Sequence, residues 1–75
     1  MKQFLENFAD QFEDTDAAII KPETKYKELE EWDSMVSLSV IAMADEAYNV
    51  ELKGDDIRNA STIQELFDII KSKAK

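Results

Sequence analysis

The sequence predicts a single all-α domain, a small four-helix bundle, and three observations support this fold class. The chain has 75 residues, which is the length of one small domain. It contains one glycine and one proline, so few positions interrupt a helix. Its apolar residues recur at helical spacing and show little of the alternation typical of β-strands. We expect three longer helices, a short third helix, and a long loop between helices 1 and 2, all within residues 1–75.

The first predicted helix runs from Lys2 to Glu13. Its apolar side chains recur at the spacing of one helical face, which predicts that this face is buried. The residues on this face are Phe4, Leu5, Phe8 and Phe12.

A long connection, residues 14–31, follows the first helix. Pro22 prevents a continuous helix there, although a short helical turn can form near residues 16–19 or 25–29. Some apolar side chains are expected to pack the connection against the core. These are Ile19, Ile20, Tyr26 and Leu29.

The second helix is predicted from about Ser34 to Tyr48, because Asp33-Ser34 precedes a long apolar run, where a helix begins. On a helical wheel this run has two apolar faces, whereas a surface helix of a small domain normally has one. The face expected to be buried contains Ser37, Val40, Ile41, Ala44 and Tyr48. The opposite face, expected to meet solvent or a partner, contains Met35, Leu38, Ala42, Asp45 and Glu46.

The segment after the second helix predicts an extended link and a short third helix. Asn49 can take the left-handed conformation that ends a helix. Val50 and Leu52 are the apolar anchors of the link. Asp55 is the expected N-cap of the short helix, residues 56–59.

The last helix begins at Ser61 or Thr62. Each has a capping-box partner three residues later, Gln64 or Glu65. The apolar residues that follow recur at helical spacing and predict a buried face. They are Ile63, Leu66, Phe67 and Ile70.

The charge of the chain is concentrated around the second helix. The net charge is −8, and residues 28–56 hold nine acidic residues but one basic residue, Lys53. Nucleic acid is therefore not an expected partner, because phosphates require a basic surface. A local negative field favours basic protein partners, although acidity alone is equally consistent with solubility.

Several functions are excluded by what the sequence lacks. Without Cys there is no disulfide, zinc-thiolate site or thiol nucleophile, and without His the commonest general base is missing. We therefore expect no enzyme and no catalytic residues. Asp55-Asp56 lacks the EF-hand spacing, so no metal site is expected. No signal sequence and no apolar run of about 20 residues is found, so we expect a cytoplasmic monomer without a membrane span.

Asp33-Ser34-Met35, followed by an apolar helix and Asp45-Glu46, resembles the Asp-Ser-Leu signature of acyl carrier proteins. The resemblance covers nearly the whole chain, since that family also has a long first loop and a short third helix. It implies the acyl carrier fold and a covalent 4′-phosphopantetheine, from coenzyme A, on Ser34. It also implies that Asp33 assists the attachment, together with magnesium.

The resemblance further implies which partners bind. They are a phosphopantetheinyl transferase and the acyl-loading and acyl-processing enzymes, which carry basic docking surfaces. The positions that would face them are Met35, Leu38, Ala42, Asp45 and Glu46. An apolar cavity sheltering an acyl chain would be surrounded by Val40, Ala44, Leu52, Ile57 and Leu66, which in a dry core would simply be packed residues.

Four residues depart from the pattern of fatty-acid carriers. Val36 and Ser39 occupy positions that are often acidic there, Glu31 replaces a frequent glycine, and Trp32 replaces a small residue. We interpret Trp32 as a packing anchor rather than part of the transferase footprint. The expected function is a stand-alone acyl carrier of fatty acid, polyketide or related biosynthesis. The alternatives are an aminoacyl or peptidyl carrier of a dedicated pathway, and an unmodified acidic interaction domain.

Overall fold

Four α-helices form the protein in a computed structural model that describes residues 2–74. The helices are α1 (Lys2–Ala9), α2 (Ser34–Tyr48), α3 (Gly54–Asn59) and α4 (Ile63–Lys73). Two 3-10 helices, Ala17–Ile19 and Tyr26–Glu28, interrupt the long connection between α1 and α2. Residues 2–74 contain no strand. The predicted all-α class, the four helices and the short third helix are confirmed.

All four helices contribute to one hydrophobic core. Aromatic rings from three helices meet at one end of it, where the ring centroids of Phe4 and Phe67 lie 4.8 Å apart and those of Phe4 and Tyr48 lie 6.0 Å apart. The radius of gyration is 11.0 Å, close to the value of about 11 Å expected for a compact chain of this length. The largest fully buried side chains are Tyr26, Phe4, Phe8, Ile63, Leu66, Ile70, Val40 and Val50. No helix within residues 2–74 is long and apolar enough to cross a membrane.

The first helix ends at Ala9 rather than at Glu13, so the predicted length of α1 is wrong. After Ala9 the backbone tightens, because Gln11 N–H donates to Phe8 C=O and Phe12 N–H to Ala9 C=O. The N–H of Glu13 donates to the side chain of Glu31, near the end of the long connection. It is therefore not available for the backbone hydrogen bond that would extend α1. Phe12 is nevertheless buried, as the sequence predicts.

The long connection is anchored by Tyr26, which is buried completely. Its hydroxyl donates to the carbonyl oxygens of Ile57 (2.7 Å) and Ala60 (3.1 Å), which connects it to α3 and the link that follows. Ile20 is also buried, but Ile19 is 48 % exposed, so the prediction that it packs against the core is wrong. Both predicted helical turns are present, as the two 3-10 helices.

The link after α2 is extended and apolar, as predicted. Asn49 ends α2 with a φ of 56°, in the left-handed region, and Val50 and Leu52 are buried. The third helix begins earlier than predicted, at Gly54. Asp55 therefore lies inside it and pairs with Arg58 instead of capping.

A capping box starts α4, and it uses the second of the two predicted pairs. Thr62 Oγ1 accepts from Glu65 N–H (3.2 Å), and Glu65 Oε1 accepts from Thr62 N–H (3.1 Å). These bonds satisfy backbone groups that the start of a helix leaves without partners. The Glu65 carboxylate also accepts from Ser61 N–H (2.7 Å), so it holds the last two residues of the link before α4, Ser61 and Thr62.

Candidate functional site

The candidate site is the start of α2, and Asp33 determines where this helix begins. Asp33 has extended backbone angles, and its Oδ1 accepts from Val36 N–H at 2.9 Å. Its carbonyl oxygen accepts from Ser37 N–H at 3.0 Å. Because Asp33 is the N-cap, Ser34 is the first residue of the helix and its hydroxyl is not needed for capping. The N–H groups of Ser34 and Met35 have no partner within an α-helix that starts here.

Ser34 is exposed at this junction. Its hydroxyl makes no hydrogen bond to another residue of the described chain, so it is free to react with a molecule from solution. Asp33, also exposed, has one carboxylate oxygen committed to the cap. The predicted site residues Asp33 and Ser34 are therefore adjacent and accessible, with different structural roles.

Trp32 holds the junction against the rest of the protein. Its ring lies 4.8 Å from Tyr26, 6.3 Å from Phe12 and 6.4 Å from Phe8, measured between centroids. The Trp32 and Phe8 rings are nearly parallel, at 3°. These contacts make Trp32 a packing anchor, as the sequence indicates.

Glu31 ties the same junction to the end of α1, a role that the sequence does not reveal. Its carboxylate accepts from the backbone N–H groups of Glu13 (2.6 Å), Asp14 (3.0 Å) and Thr15 (2.8 Å), and from Thr15 Oγ1 (2.7 Å). The Thr15 hydroxyl and the N–H groups hold the pKa of this carboxyl below its ordinary value. Its partners lie 16 to 18 residues away, so no local pattern could indicate them.

The face of α2 that was predicted to meet solvent or a partner is exposed. Met35 is 74 % exposed and Leu38 65 %, values that are high for large apolar side chains. The other three residues of this set are exposed as well. We refer to the set as the outer face of α2; it consists of Met35, Leu38, Ala42, Asp45 and Glu46.

The buried face of α2 differs from the predicted one by a rotation about the helix axis. The rotation is smaller than 100°, the angle between successive residues of a helix. Val40 and Ala44 are buried as predicted, but Ser37, Ile41 and Tyr48 are half-buried. The remaining buried residues of this helix are Val36 and Met43. The four buried residues have the i, i+4, i+7 and i+8 spacing of one helical face. Because α2 is apolar on most sides, its sequence is consistent with several rotations of the helix about its axis.

The acidic pair of the outer face lies in the last turns of α2. Asn49 N–H donates to the Asp45 carbonyl (2.9 Å), and Val50 N–H donates to that of Ala44 (3.3 Å), which closes the helix end. Asp45 and Glu46 carry negative charge near the negative end of the helix dipole, where anions are disfavoured by roughly 0.3–1 kcal/mol each. In the described residues neither carboxylate has an ion-pair partner that offsets this cost.

Two adjoining surface pockets lie between α2 and the α1 side of the protein, with volumes of about 280 and 390 Å³. The first lies near the start of α2 and is lined by Gln11, Glu13, Glu31, Asp33, Met35, Val36 and Ser39, but not by Ser34. The second continues along α2 and is lined by Asn7, Asp10, Gln11, Ser39, Ala42, Met43, Glu46 and Ala47. We call the two together the α1–α2 groove, since Gln11 and Ser39 line both.

The groove collects four of the seven predicted site residues along one side of α2. Asp33 and Met35 lie at one end, and Ala42 and Glu46 toward the other. The sequence did not indicate this groove, because its second wall comes from residues around the end of α1, which was predicted to continue as a helix. No group of three or more potential metal-ligating side chains is found in residues 2–74.

No protein-family model, no curated protein and no solved structure matches this chain. The functional assignment therefore depends on the residues and their geometry.

Proposed function

We propose that this protein is an acyl carrier protein, with Ser34 as the attachment site of a 4′-phosphopantetheine arm. The observation that carries the proposal is the exposed Ser34 hydroxyl, placed at the first position of a long helix whose cap is already supplied by Asp33. Esterification of that hydroxyl would cost no hydrogen bond of the described chain.

The residues around Ser34 fit the chemistry of a phosphodiester. The free N–H groups of Ser34 and Met35 and the positive end of the α2 dipole favour a phosphate at this position. The junction is exposed, so a transferase can reach it, while Trp32 and Glu31 hold it in place from behind. Asp33 keeps one carboxylate oxygen outside the cap, which is available to assist the transfer. The arm would supply the thiol that the chain lacks and hold a cargo as a thioester.

The outer face of α2 supports the same proposal, because it begins next to Ser34. Met35 and Leu38 offer exposed apolar contacts, and Asp45 and Glu46 add negative charge farther along the helix. The attachment site and the contact face lie on the same helix. Binding of an enzyme with a basic docking surface to this face would therefore bring its catalytic centre close to the arm.

The departures at Val36 and Ser39 favour a dedicated pathway at least as much as general fatty acid synthesis. Val36 is buried and belongs to the core, so this position is apolar because it packs rather than because it meets a partner. A cargo of acyl or aminoacyl type is compatible with the site.

The proposal is tested by incubating the protein with coenzyme A, magnesium and a broad-specificity phosphopantetheinyl transferase, followed by intact mass measurement. We expect the addition of one phosphopantetheine. Ser34→Ala should abolish the mass increase while the helical circular dichroism signal is kept. The matched controls are Ser37→Ala and Ser39→Ala on the same helix, which should still be modified. Modification of the Ser34→Ala variant would refute the assignment.

A second function is an unmodified interaction domain that binds a partner through the outer face. The exposure of Met35 and Leu38 favours it, since an apolar helix face can fill a groove of another protein. The same mass measurement separates the two functions, because an interaction domain would not be modified.

A further inference from the structure

The segment that precedes Ser34 is tied to the end of α1 by one side chain. Glu31 Oε1 accepts from the N–H groups of Asp14 (3.0 Å) and Thr15 (2.8 Å), and from Thr15 Oγ1 (2.7 Å). The other oxygen, Oε2, accepts from the N–H of Glu13 (2.6 Å). Three consecutive backbone N–H groups and one hydroxyl therefore converge on a single carboxylate.

These donors form an anion site that the chain fills with its own carboxylate. Residues 13–15 form a bend, and successive N–H groups in such a backbone make a concave site for an anion. The Thr15 hydroxyl and the backbone N–H groups lower the pKa of Glu31, so its carboxylate is charged at neutral pH. Within residues 2–74 this carboxylate forms no ion pair, so the tie depends on the four hydrogen bonds.

Glu31 and the neighbouring Trp32 give the junction two separate anchors. The Trp32 ring packs into the core, with its centroid 4.8 Å from that of Tyr26. One anchored residue leaves a segment free to turn about that point, whereas two adjacent anchors also restrict its direction. Asp33, the cap of α2, follows at once, and Ser34 lies three residues after Glu31, at most about 11 Å of extended chain.

The transfer of phosphopantetheine depends on where the Ser34 hydroxyl lies. Reacting atoms must approach to about 3–3.5 Å, and a misplacement of about 1 Å can lower a rate on the order of 10²-fold. The N–H groups of the first turn of a helix have no partners within the helix, so this turn depends on its cap and on the segment before it.

We infer that Glu31 is a positioning residue for the modification of Ser34. By binding residues 13–15, it holds the junction in the conformation that a transferase accepts. Its carboxylate is engaged by these residues, so it acts through the junction and not on the substrate. This inference rests on the proposed function.

The test measures steady-state kinetics of a phosphopantetheinyl transferase with the apo protein as the varied substrate and saturating coenzyme A and magnesium. Glu31→Ala should lower kcat by about tenfold or more, because the hydroxyl is no longer held in one place. KM should change by less than about twofold, because the outer face of α2 is intact. Rates are measured at a temperature at which circular dichroism shows every variant folded. An unchanged kcat, or an effect confined to KM, would overturn the inference.

Matched variants separate the tie from the charge. Glu30→Ala removes the same charge from the neighbouring, exposed residue and should leave kcat unchanged. Thr15→Val removes one of the four donors and should lower kcat by less than Glu31→Ala does. Thr15→Ser keeps the hydroxyl and should retain the parent kcat. An equal loss with Glu30→Ala and Glu31→Ala would assign the effect to net charge and contradict the inference.

A double variant tests whether the two residues act as one unit. In a protein that already has Glu31→Ala, Thr15→Val should lower kcat no further, because the acceptor of its hydroxyl is absent. Additive losses would mean that the two residues act independently, which would overturn the inference. If Glu31→Ala does not fold, the comparison of Thr15→Val with Thr15→Ser decides in its place.

The outcomes distinguish this inference from the proposed function. If the parent protein is modified and Glu31→Ala is modified with the same kcat, the inference fails while the proposed function stands. If the parent protein is not modified, both fail.

Discussion

The two faces of α2 carry similar side chains and have different roles. Met43 and Val40 are buried, at 6 % and 0 % exposure, whereas Met35 and Leu38 on the outer face are 74 % and 65 % exposed. Side-chain type alone therefore does not determine which face packs. The difference arises from what lies opposite each face, namely the aromatic and aliphatic core on one side and solvent on the other.

This contrast has a functional consequence. Single exposed apolar side chains are common on small domains, whereas a contiguous exposed apolar patch usually marks a binding surface. Here two of them follow Ser34 within one helical turn. The buried face stabilises the protein, and the exposure of Met35 and Leu38 is the reason for proposing the outer face as a docking surface.

The largest expected effect comes from one substitution made on each face. Met43→Ala should lower the free energy of unfolding by about 2–5 kcal/mol, because it removes buried atoms and leaves a cavity. Met35→Ala should change it by less than about 0.5 kcal/mol, since that side chain is exposed. Urea denaturation of the two variants gives both values.

Met43→Leu is the control for this pair, because it conserves volume and should retain most of the stability. Val40→Ala is expected to cost about 1–4 kcal/mol, because it removes buried atoms. The assignment of the two faces would be contradicted if Leu38→Ala unfolded the protein and Val40→Ala did not. In that case the outer face would be part of the core.

Local signals predicted α2 well. Its bounds, Ser34–Tyr48, follow from Asp33 as a cap and from Asn49 in the left-handed conformation, and both signals act within a few residues. Its rotation was less well predicted, because a helix that is apolar on most sides fits the core in several ways. The spacing of Val36 and Met43 is consistent with the observed buried face, but the sequence alone does not select this face over the neighbouring ones.

The features that sequence reasoning missed depend on contacts between distant segments. The carboxylate of Glu31 takes N–H groups that would otherwise have extended α1. The carboxylate of Asp56 accepts from Lys53 N–H at the start of α3 and pairs with Lys73 of α4, so α3 begins at Gly54 rather than after Asp55. The candidate attachment residue Ser34 was predicted because its signal is local, whereas the groove beside it forms only in the folded chain.

The long connection also contains a buried and a more exposed ionisable group, Tyr26 and Glu31. Tyr26 is the buried one. Burial and the nearby charge of Glu65 raise the pKa of Tyr26 to about 12, from an ordinary value of 10.0. The folded state therefore holds this proton more tightly than the unfolded state. The contribution of Tyr26 to the free energy of unfolding is fully present below about pH 10. It falls as the pH rises toward 12, by about 2–3 kcal/mol at 1.36 kcal/mol per pKa unit.

Tyr26→Phe isolates this contribution. The variant should be less stable at neutral pH, because the carbonyl oxygens of Ile57 and Ala60 lose the single O–H donor that they share, worth about 1 kcal/mol. It should also lose less stability between pH 9 and 12 than the parent protein, as measured by urea denaturation. Equal pH dependence of the two proteins would show that Tyr26 does not carry this effect.

Glu31 is the partly exposed counterpart; its effect on the free energy of unfolding should be smaller, and its pH dependence should run in the opposite direction. Hydrogen bonds from Thr15 and from the backbone of Glu13 lower its pKa, so its contribution is present above the ordinary value of 4.5 and is lost as the pH falls through the folded-state pKa. Glu31→Gln should lower the thermal midpoint at pH 7 and weaken its dependence on pH below 5. The control is Glu30→Gln, which removes the same charge from the neighbouring residue. If both variants respond alike, the effect comes from net charge and not from the hydrogen bonds.

The smallest effect on stability is expected from the acidic pair of the outer face. Asp45→Lys with Glu46→Lys should leave the free energy of unfolding nearly unchanged or slightly raise it, because a cation suits the end of a helix better than an anion. The same change should slow modification by a transferase with a basic docking surface, most strongly at low salt, where charges are least screened. The control, Glu6→Lys with Glu23→Lys, raises the net charge of −8 by the same amount from α1 and the connection. Transferase rates over a salt series compare the two double variants. Equal slowing would mean that net charge alone attracts the partner, whereas slowing confined to the Asp45 and Glu46 variant would place the contact on the outer face of α2.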